Sequence, residues 1–191
     1  MATSSMSTAA SRPRSEDARI VVVMGVSSSG KTTIGEEIAR RLHAPFLDGD
    51  QYHPEANIRK MSAGIPLTDE DRWPWLKALS EALHEAAGRK GVAVGACSAL
   101  KRAYRDYMVA TAGEPIVFVY LDGSFELIQS RIHARQHHFM PESLLKSQFD
   151  TLEPPGDGEN FVAVKIDEPP ARIAEAALKK LPWLHAFKRG Q

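Results

Sequence analysis

One cysteine, Cys97, stands in 191 residues, so no disulfide can form within the chain. That fits a reducing compartment, and a cytoplasmic setting is expected. No apolar run approaches the roughly 20 residues that span a membrane, so no membrane partner is expected. Neither sign of charge dominates: 24 basic residues face 24 acidic ones. A general affinity for nucleic acid or an anionic surface is therefore not expected, and local basic clusters need local explanations. Repeats and low-complexity blocks are missing beyond the first 18 residues. That stretch is rich in Ser, Thr and Ala and lacks the apolar centre of a secretory signal. Its Ser and Arg content resembles a transit peptide, but Glu16 and Asp17 argue against one. Residues 1–18 read as a mobile tail, and 19–191 as one domain.

The apolar runs that are present are short and widely spaced. Ile20 to Met24, Pro45 to Leu47, Val92 to Ala96, Ile116 to Leu121 and Phe161 to Ile166 read as strands. Between them lie segments with helical periodicity: Ile34, Ile38 and Leu42; Leu76, Leu79 and Leu83; a helix marked by Leu127 and Arg131; and Ile173 to Leu181. Strands alternating with helices predict an α/β, three-layer fold with a parallel sheet. The excursion from Asp50 to Trp75 reads as a substrate-binding insertion or an elaborated connection. Glu153 to Asn160, "EPPGDGEN", reads as a surface loop.

"GVSSSGKTT", from Gly25 to Thr33, follows the first strand and precedes an amphipathic helix. Gly25-x-x-x-x-Gly30-Lys31-Thr32 matches the phosphate-binding loop pattern. Gly25 lets the chain turn off the strand, and Gly30 lets backbone approach phosphate. The amides of Val26, Ser27, Ser28, Ser29, Gly30, Lys31, Thr32 and Thr33 line or follow this nest, and the helix start adds positive potential. Lys31 reaches the outer phosphates as a point charge. The Thr32 hydroxyl is placed to ligate Mg²⁺, a hard cation that keeps most of its waters.

Three classes share such a loop. A GTPase switch needs Asp-x-x-Gly and Asn-Lys-x-Asp segments, and neither occurs. A transport ATPase needs a strand ending in a metal-binding acid; Asp122 ends "VFVYLD" but reads better as a turn or cap residue. A small-molecule kinase needs a second acidic site, an acceptor pocket and arginines near the phosphates, and the chain offers all three.

The acids are Asp48 and Asp50 in "FLDGDQYHP". Beyond a strand's carboxyl end they share the phosphate loop's rim, and alternation in an extended segment would turn both the same way. One acid can orient Mg²⁺ through water, and the other can take a hydroxyl proton. His53 is either a polyol contact or a turn residue. Arg59, Lys60 and Arg72 suit an anionic acceptor or simply a charged surface, and of Trp73 and Trp75 at least one belongs in the core. Ser98 is a candidate helix cap. Lys101 and Arg105, four apart, share a helix face that could hold a carboxylate or phosphate. Cys97 reads as a small buried residue. Arg131 and Arg135 can clamp a transferring phosphoryl group, on a segment near 131–148 that closes as a lid. His137 and His138 are adjacent and diverge, so a zinc reading is rejected.

"MGVSSSGKTT", "FLDGDQYHP", "NIRKMSAGIPLTDEDRWPWL", "CSALKRAYRDYM" and "FVYLDGSFELIQSRIHARQHHFMPESLLKSQFDTLEPP" follow one another as in the bacterial-type gluconokinases, which the chain resembles from Ile20 to about Ile166. The resemblance implies a nucleoside monophosphate kinase-like fold with a five-stranded parallel sheet and a lid. It implies transfer of the ATP γ-phosphoryl group to the 6-hydroxyl of D-gluconate, a need for Mg²⁺, and a homodimer. By analogy with the shikimate kinases, Asp48 would support Mg²⁺ and Asp50 would contact the acceptor hydroxyl. Arg72, Lys101 and Arg105 are the candidates for the gluconate carboxylate. Ser28 departs from the family, which usually has Gly there, and Thr33 also differs. The alternatives are a kinase for another small hydroxy acid such as shikimate, and a nucleotide-binding regulator without an acceptor.

Overall fold

The structure, a computed structural model, describes residues 19–134 and 142–183. Five strands form one parallel sheet: β1 (Ile20–Met24), β2 (Phe46–Asp48), β3 (Ala93–Ala96), β4 (Ile116–Asp122) and β5 (Phe161–Lys165). Their order is β2-β3-β1-β4-β5. Ile20 aligns with Ala93 on one side and Ile116 on the other. The chain passes from β1 to β2 on one side, and from β3 past β1 to β4 on the other; these opposite directions open a crevice at the carboxyl ends of β1 and β3.

Seven helices cover the two faces in the described residues. They are α1 (Lys31–Leu42), α2 (Glu55–Ser62), α3 (Asp69–Lys90), α4 (Arg102–Ala112), α5 (Phe125–Ala134), α6 (Glu142–Thr151) and α7 (Pro170–Lys180). β1 shows why the sheet is buried on both sides. Val21 and Val23 pack with Ile34 and Ile38 of α1 and Ile173 of α7. Ile20, Val22 and Met24 point the other way, to Leu76, Leu79 and Leu83 of α3 and Met108 of α4. Each such side chain contributes about 1.5–3 kcal/mol by leaving water, enough to fix the register of a continuous apolar strand.

The long α3 has defined ends. Thr68 and Asp71 form a reciprocal capping box at its start, and Gly91 closes it in the left-handed conformation. α4 begins differently from the expectation for Ser98. Its first residue is Arg102, and Ser98 lies outside the helix, its carbonyl accepting from the Gly25 amide at 3.3 Å. The Arg102 amide is instead met by the Glu153 carboxylate at 2.7 Å. Asp122 is the last residue of β4 and pairs with Lys165 at 2.5 Å; the Ser124 hydroxyl takes the cap position, accepting from the Leu127 amide. At the carboxyl end of the chain Leu181 and Trp183 are buried in the α1/α7 core. The predicted tail 1–18, and Arg135, His137 and His138, lie outside the described residues.

Candidate active site

The phosphate loop sits where β1 leaves the sheet. Gly25 has φ 143°, Ser28 φ 62° and Gly30 φ 99°. A Cβ on Gly25 would lie 3.3 Å from the Leu121 carbonyl, so both its angle and its surroundings favour glycine. Ser28 is a serine held in the left-handed region, at a cost of about 1–2 kcal/mol. The strain falls at the position where the resembled family usually carries Gly.

Gly30 caps α1, and no side chain caps that helix. Its opening amides are therefore directed to the rim without a capping partner. The Ser29 hydroxyl is fully buried and has no hydrogen-bond partner among the described residues. Unsatisfied donors around a helix start are what a bound phosphate group would complete. The Lys31 ammonium donates to the Val26 carbonyl at 2.9 Å. Burial pushes its pKa below the usual lysine value, opposed by the charges of Asp50, Cys97 and Asp48.

Asp48 and Asp50 reach the same rim by a route that alternation did not anticipate. Asp48 ends β2, and residues Gly49–Tyr52 turn into a short 3-10 helix. One Asp48 oxygen caps this turn by accepting from the Asp50 amide at 3.1 Å. The other accepts from the Thr32 hydroxyl at 3.3 Å. Gly49 allows the turn to press against β3, since a Cβ there would stand 2.4 Å from the Ala96 carbonyl. The exposed Asp50 carboxylate accepts no hydrogen bond among the described residues, while its charge is felt at Lys31 and His53.

The Thr32–Asp48 oxygen pair fits Mg²⁺. Among the described residues no cluster of three or more His, Cys, Asp or Glu side chains could enclose a metal. A cation held by one hydroxyl and one carboxylate, completed by water and phosphate oxygens, suits magnesium rather than zinc or calcium.

His53 stacks on Trp75, with ring centroids 4.1 Å apart and planes 18° from parallel. Trp75 is itself fixed by donating to the Gly49 carbonyl at 2.7 Å. Burial lowers the His53 pKa, which keeps the ring neutral near pH 7 and suited to a hydroxyl. Trp75 lies in the core, and Trp73 packs edge-on against Tyr104 at 5.4 Å.

The acceptor-side cations separate clearly. Arg59 pairs with Glu55 and Lys60 with Asp71, so both are engaged within α2 and the α3 cap. Lys101 reaches Asp69 at 2.9 Å, and the Tyr104 hydroxyl donates to the same carboxylate at 2.5 Å. These hydrogen bonds, Tyr104 first and then Lys101, hold Asp69 below the usual carboxylate range. Arg72 donates to the Leu67 carbonyl at 2.6 Å, approaches Asp69 at 3.8 Å and lies over the Tyr104 ring. Arg72 and Lys101 together oppose one carboxylate, which leaves one positive charge for a second anion.

Arg105 does not join them. It is 1% exposed and grips Glu159 through Nε at 2.5 Å and Nη2 at 3.0 Å. Its Nη1 donates to the carbonyls of Ala99 and Leu100. Four of its donors are used inside the protein, so it ties the 153–160 loop to α4 and is withdrawn as a substrate contact. Cys97 is buried beneath the site, and burial pushes its thiol up to about 12, which excludes a thiolate nucleophile.

Arg131 lies on the other flank of the phosphate loop. It donates to the Ile166 carbonyl and, with Ser28, Thr33, Glu168, Pro170 and Ile173, lines a cavity of about 340 Å³. The cavity joins the phosphate loop on the side away from Asp50 and has the mixed apolar lining suited to a planar base.

Sequence reasoning missed three residues. Asp69 and Glu159 are partners of cations that were read alone, and Gln148 of α6 contacts Ser27. Lys101 lies 32 residues from Asp69, Glu159 54 from Arg105 and Gln148 121 from Ser27, beyond any local pattern; the Asp69–Arg72 contact, an i,i+3 pair on α3, was within local reach.

The chain matches known proteins in sequence and in overall fold. The sequence model of the shikimate kinase family matches residues 27–155. The thermoresistant gluconokinase of Escherichia coli K12 is 47% identical over 155 residues, covering 80% of this chain and 87% of that protein. The gluconokinase of Gluconobacter oxydans is 45% identical over 163 residues, with 84% and 90% covered. The chain belongs to the gluconokinase family. A crystal structure of a gluconokinase from Sinorhizobium meliloti superposes with a TM-score of 0.76 at 48% identity, covering 89% of this chain and 93% of that one. The gluconokinase family thus shares this chain's parallel sheet and helices.

Proposed function

We propose that this chain transfers the γ-phosphoryl group of ATP to the 6-hydroxyl of D-gluconate, giving 6-phospho-D-gluconate and ADP. The observation that carries the reading is the meeting of two features on one rim. Lys31 and the phosphate loop face Asp50 across the capped turn, in a chain of the gluconokinase family.

The bond between the γ-phosphorus and the β,γ-bridging oxygen breaks as the bond to the gluconate oxygen forms. Lys31 and the opening amides of α1 take up charge on the phosphates. Thr32 and Asp48 would hold Mg²⁺, which when bound neutralises phosphate charge. The Asp50 carboxylate accepts a hydrogen bond from the 6-hydroxyl, aims it, and receives its proton as the oxygen is phosphorylated. His53, neutral and fixed by Trp75, meets a second hydroxyl. The remaining positive charge of Arg72 and Lys101 meets the gluconate carboxylate. The base of ATP occupies the cavity beside Arg131. A cytoplasmic setting and a homodimer complete the proposal, supported by the family resemblance.

The test is ADP release from ATP over a panel of hydroxy acids. Turnover with gluconate well above all others is the expected result. Turnover confined to shikimate or another acid would overturn the acceptor, and none with any acid would point to a regulator.

A further inference from the structure

Gln148 holds the phosphate loop from outside it. The Ser27 amide donates to Gln148 Oε1 at 2.6 Å, and Gln148 Nε2 donates to the Ser27 hydroxyl at 2.9 Å. The two residues are 121 positions apart, so this is a tertiary clasp. The helix that carries it is well seated: Leu145 is 1% exposed, and Phe149 packs edge-on against Phe125 at 5.4 Å. Just beyond it, the Glu153 amide donates to the Leu100 carbonyl at 2.9 Å. The amide of Gln148 is therefore presented from a fixed support.

What it supports is strained. Ser27 precedes Ser28, whose φ of 62° is disfavoured for a residue with a Cβ. A loop free at Ser27 can relax away from that conformation and rotate its amides off the rim. Two hydrogen bonds at Ser27 oppose this. The side-chain type also matters. The amide offers both an acceptor for the Ser27 N–H and a donor for its hydroxyl without a charge, at the full reach of the glutamine side chain. A glutamate could keep both bonds, accepting from the N–H and from the hydroxyl, but would set a negative charge against the loop that receives polyphosphate.

We propose that Gln148 is a positioning residue that keeps the phosphate loop in its nucleotide-ready shape, and that its neutrality is part of that role. This rests on the reading of the loop as an ATP site. The experiment is calorimetric titration with a non-hydrolysable ATP analogue and Mg²⁺, without gluconate, on the unaltered chain, Gln148→Ala and Gln148→Glu. Urea unfolding of each without nucleotide accompanies it. Gln148→Ala is expected to bind about tenfold more weakly, the scale of a lost hydrogen-bonded clasp. Gln148→Glu is expected to bind more weakly still while unfolding at the same urea concentration as the unaltered chain. A purely structural contact predicts the opposite order, with Gln148→Glu binding normally. Normal affinity in either variant overturns the proposal alone. Failure of the unaltered chain to bind overturns the nucleotide site and the proposal with it.

Discussion

Lys31→Ala is expected to lower kcat/KM for phosphoryl transfer by about 10³- to 10⁵-fold, the range seen when a cation is withdrawn from a transferring phosphoryl group. The fold is expected to stand. The Lys31 side chain is partly buried, and its one hydrogen bond among the described residues is to the Val26 carbonyl. Its pKa is lowered, first by loss of solvent, so the folded chain holds this proton less firmly than the unfolded chain does. The sign of the linkage is then clear. Below the unfolded lysine value, keeping Lys31 charged costs stability, and removing it recovers that cost. The urea midpoint of Lys31→Ala at pH 7 should equal or exceed that of the unaltered chain while turnover collapses. A near-normal rate would remove the phosphate loop from the chemistry.

Asp50→Asn is expected to lower kcat by about 10²- to 10⁴-fold, with gluconate KM changed less than about threefold. Asparagine fills the same space and can still meet a hydroxyl, but it cannot take its proton. The turn should persist, because the group that caps it is the Asp48 carboxylate on the Asp50 amide. Steady-state kinetics over gluconate concentration separates the roles. A rise in KM at constant kcat would make Asp50 a binding residue only.

The strands were readable because their cause is local. Each of the five lies within a residue or two of its predicted span; the runs of β1, β3 and β4 have the sheet interior to occupy, while β2 and β5 are partly buried edge strands. The phosphate loop's place was readable for the same reason: a strand, two glycines, a lysine and a hydroxyl residue mark it at short range, while the clasp of Gln148 on Ser27 comes from 121 residues away. What failed was set by distant partners. Arg105 looked like a cation on a helix face, but Glu159, 54 residues further on, draws it into a buried pair. The spacing to Lys101 says nothing of that loop's return. Asp48 and Asp50 were placed on the correct rim by the wrong geometry, because Gly49 permits a 3-10 turn where extended alternation was assumed. Ser98 lost its cap role because α4 starts only at Arg102, with Lys101 at the N-cap, and the Arg102 amide is met by Glu153.

The acceptor's place in the site decides the account most directly. A crystal of the chain with a non-hydrolysable ATP analogue, Mg²⁺ and gluconate measures it. The gluconate 6-hydroxyl oxygen should lie about 2.6–3.2 Å from the Asp50 carboxylate and about 3–3.5 Å from the terminal phosphorus, in line with the bond to be broken. Gluconate bound with its carboxylate toward the phosphorus, or Asp50 turned from the 6-hydroxyl, would contradict it.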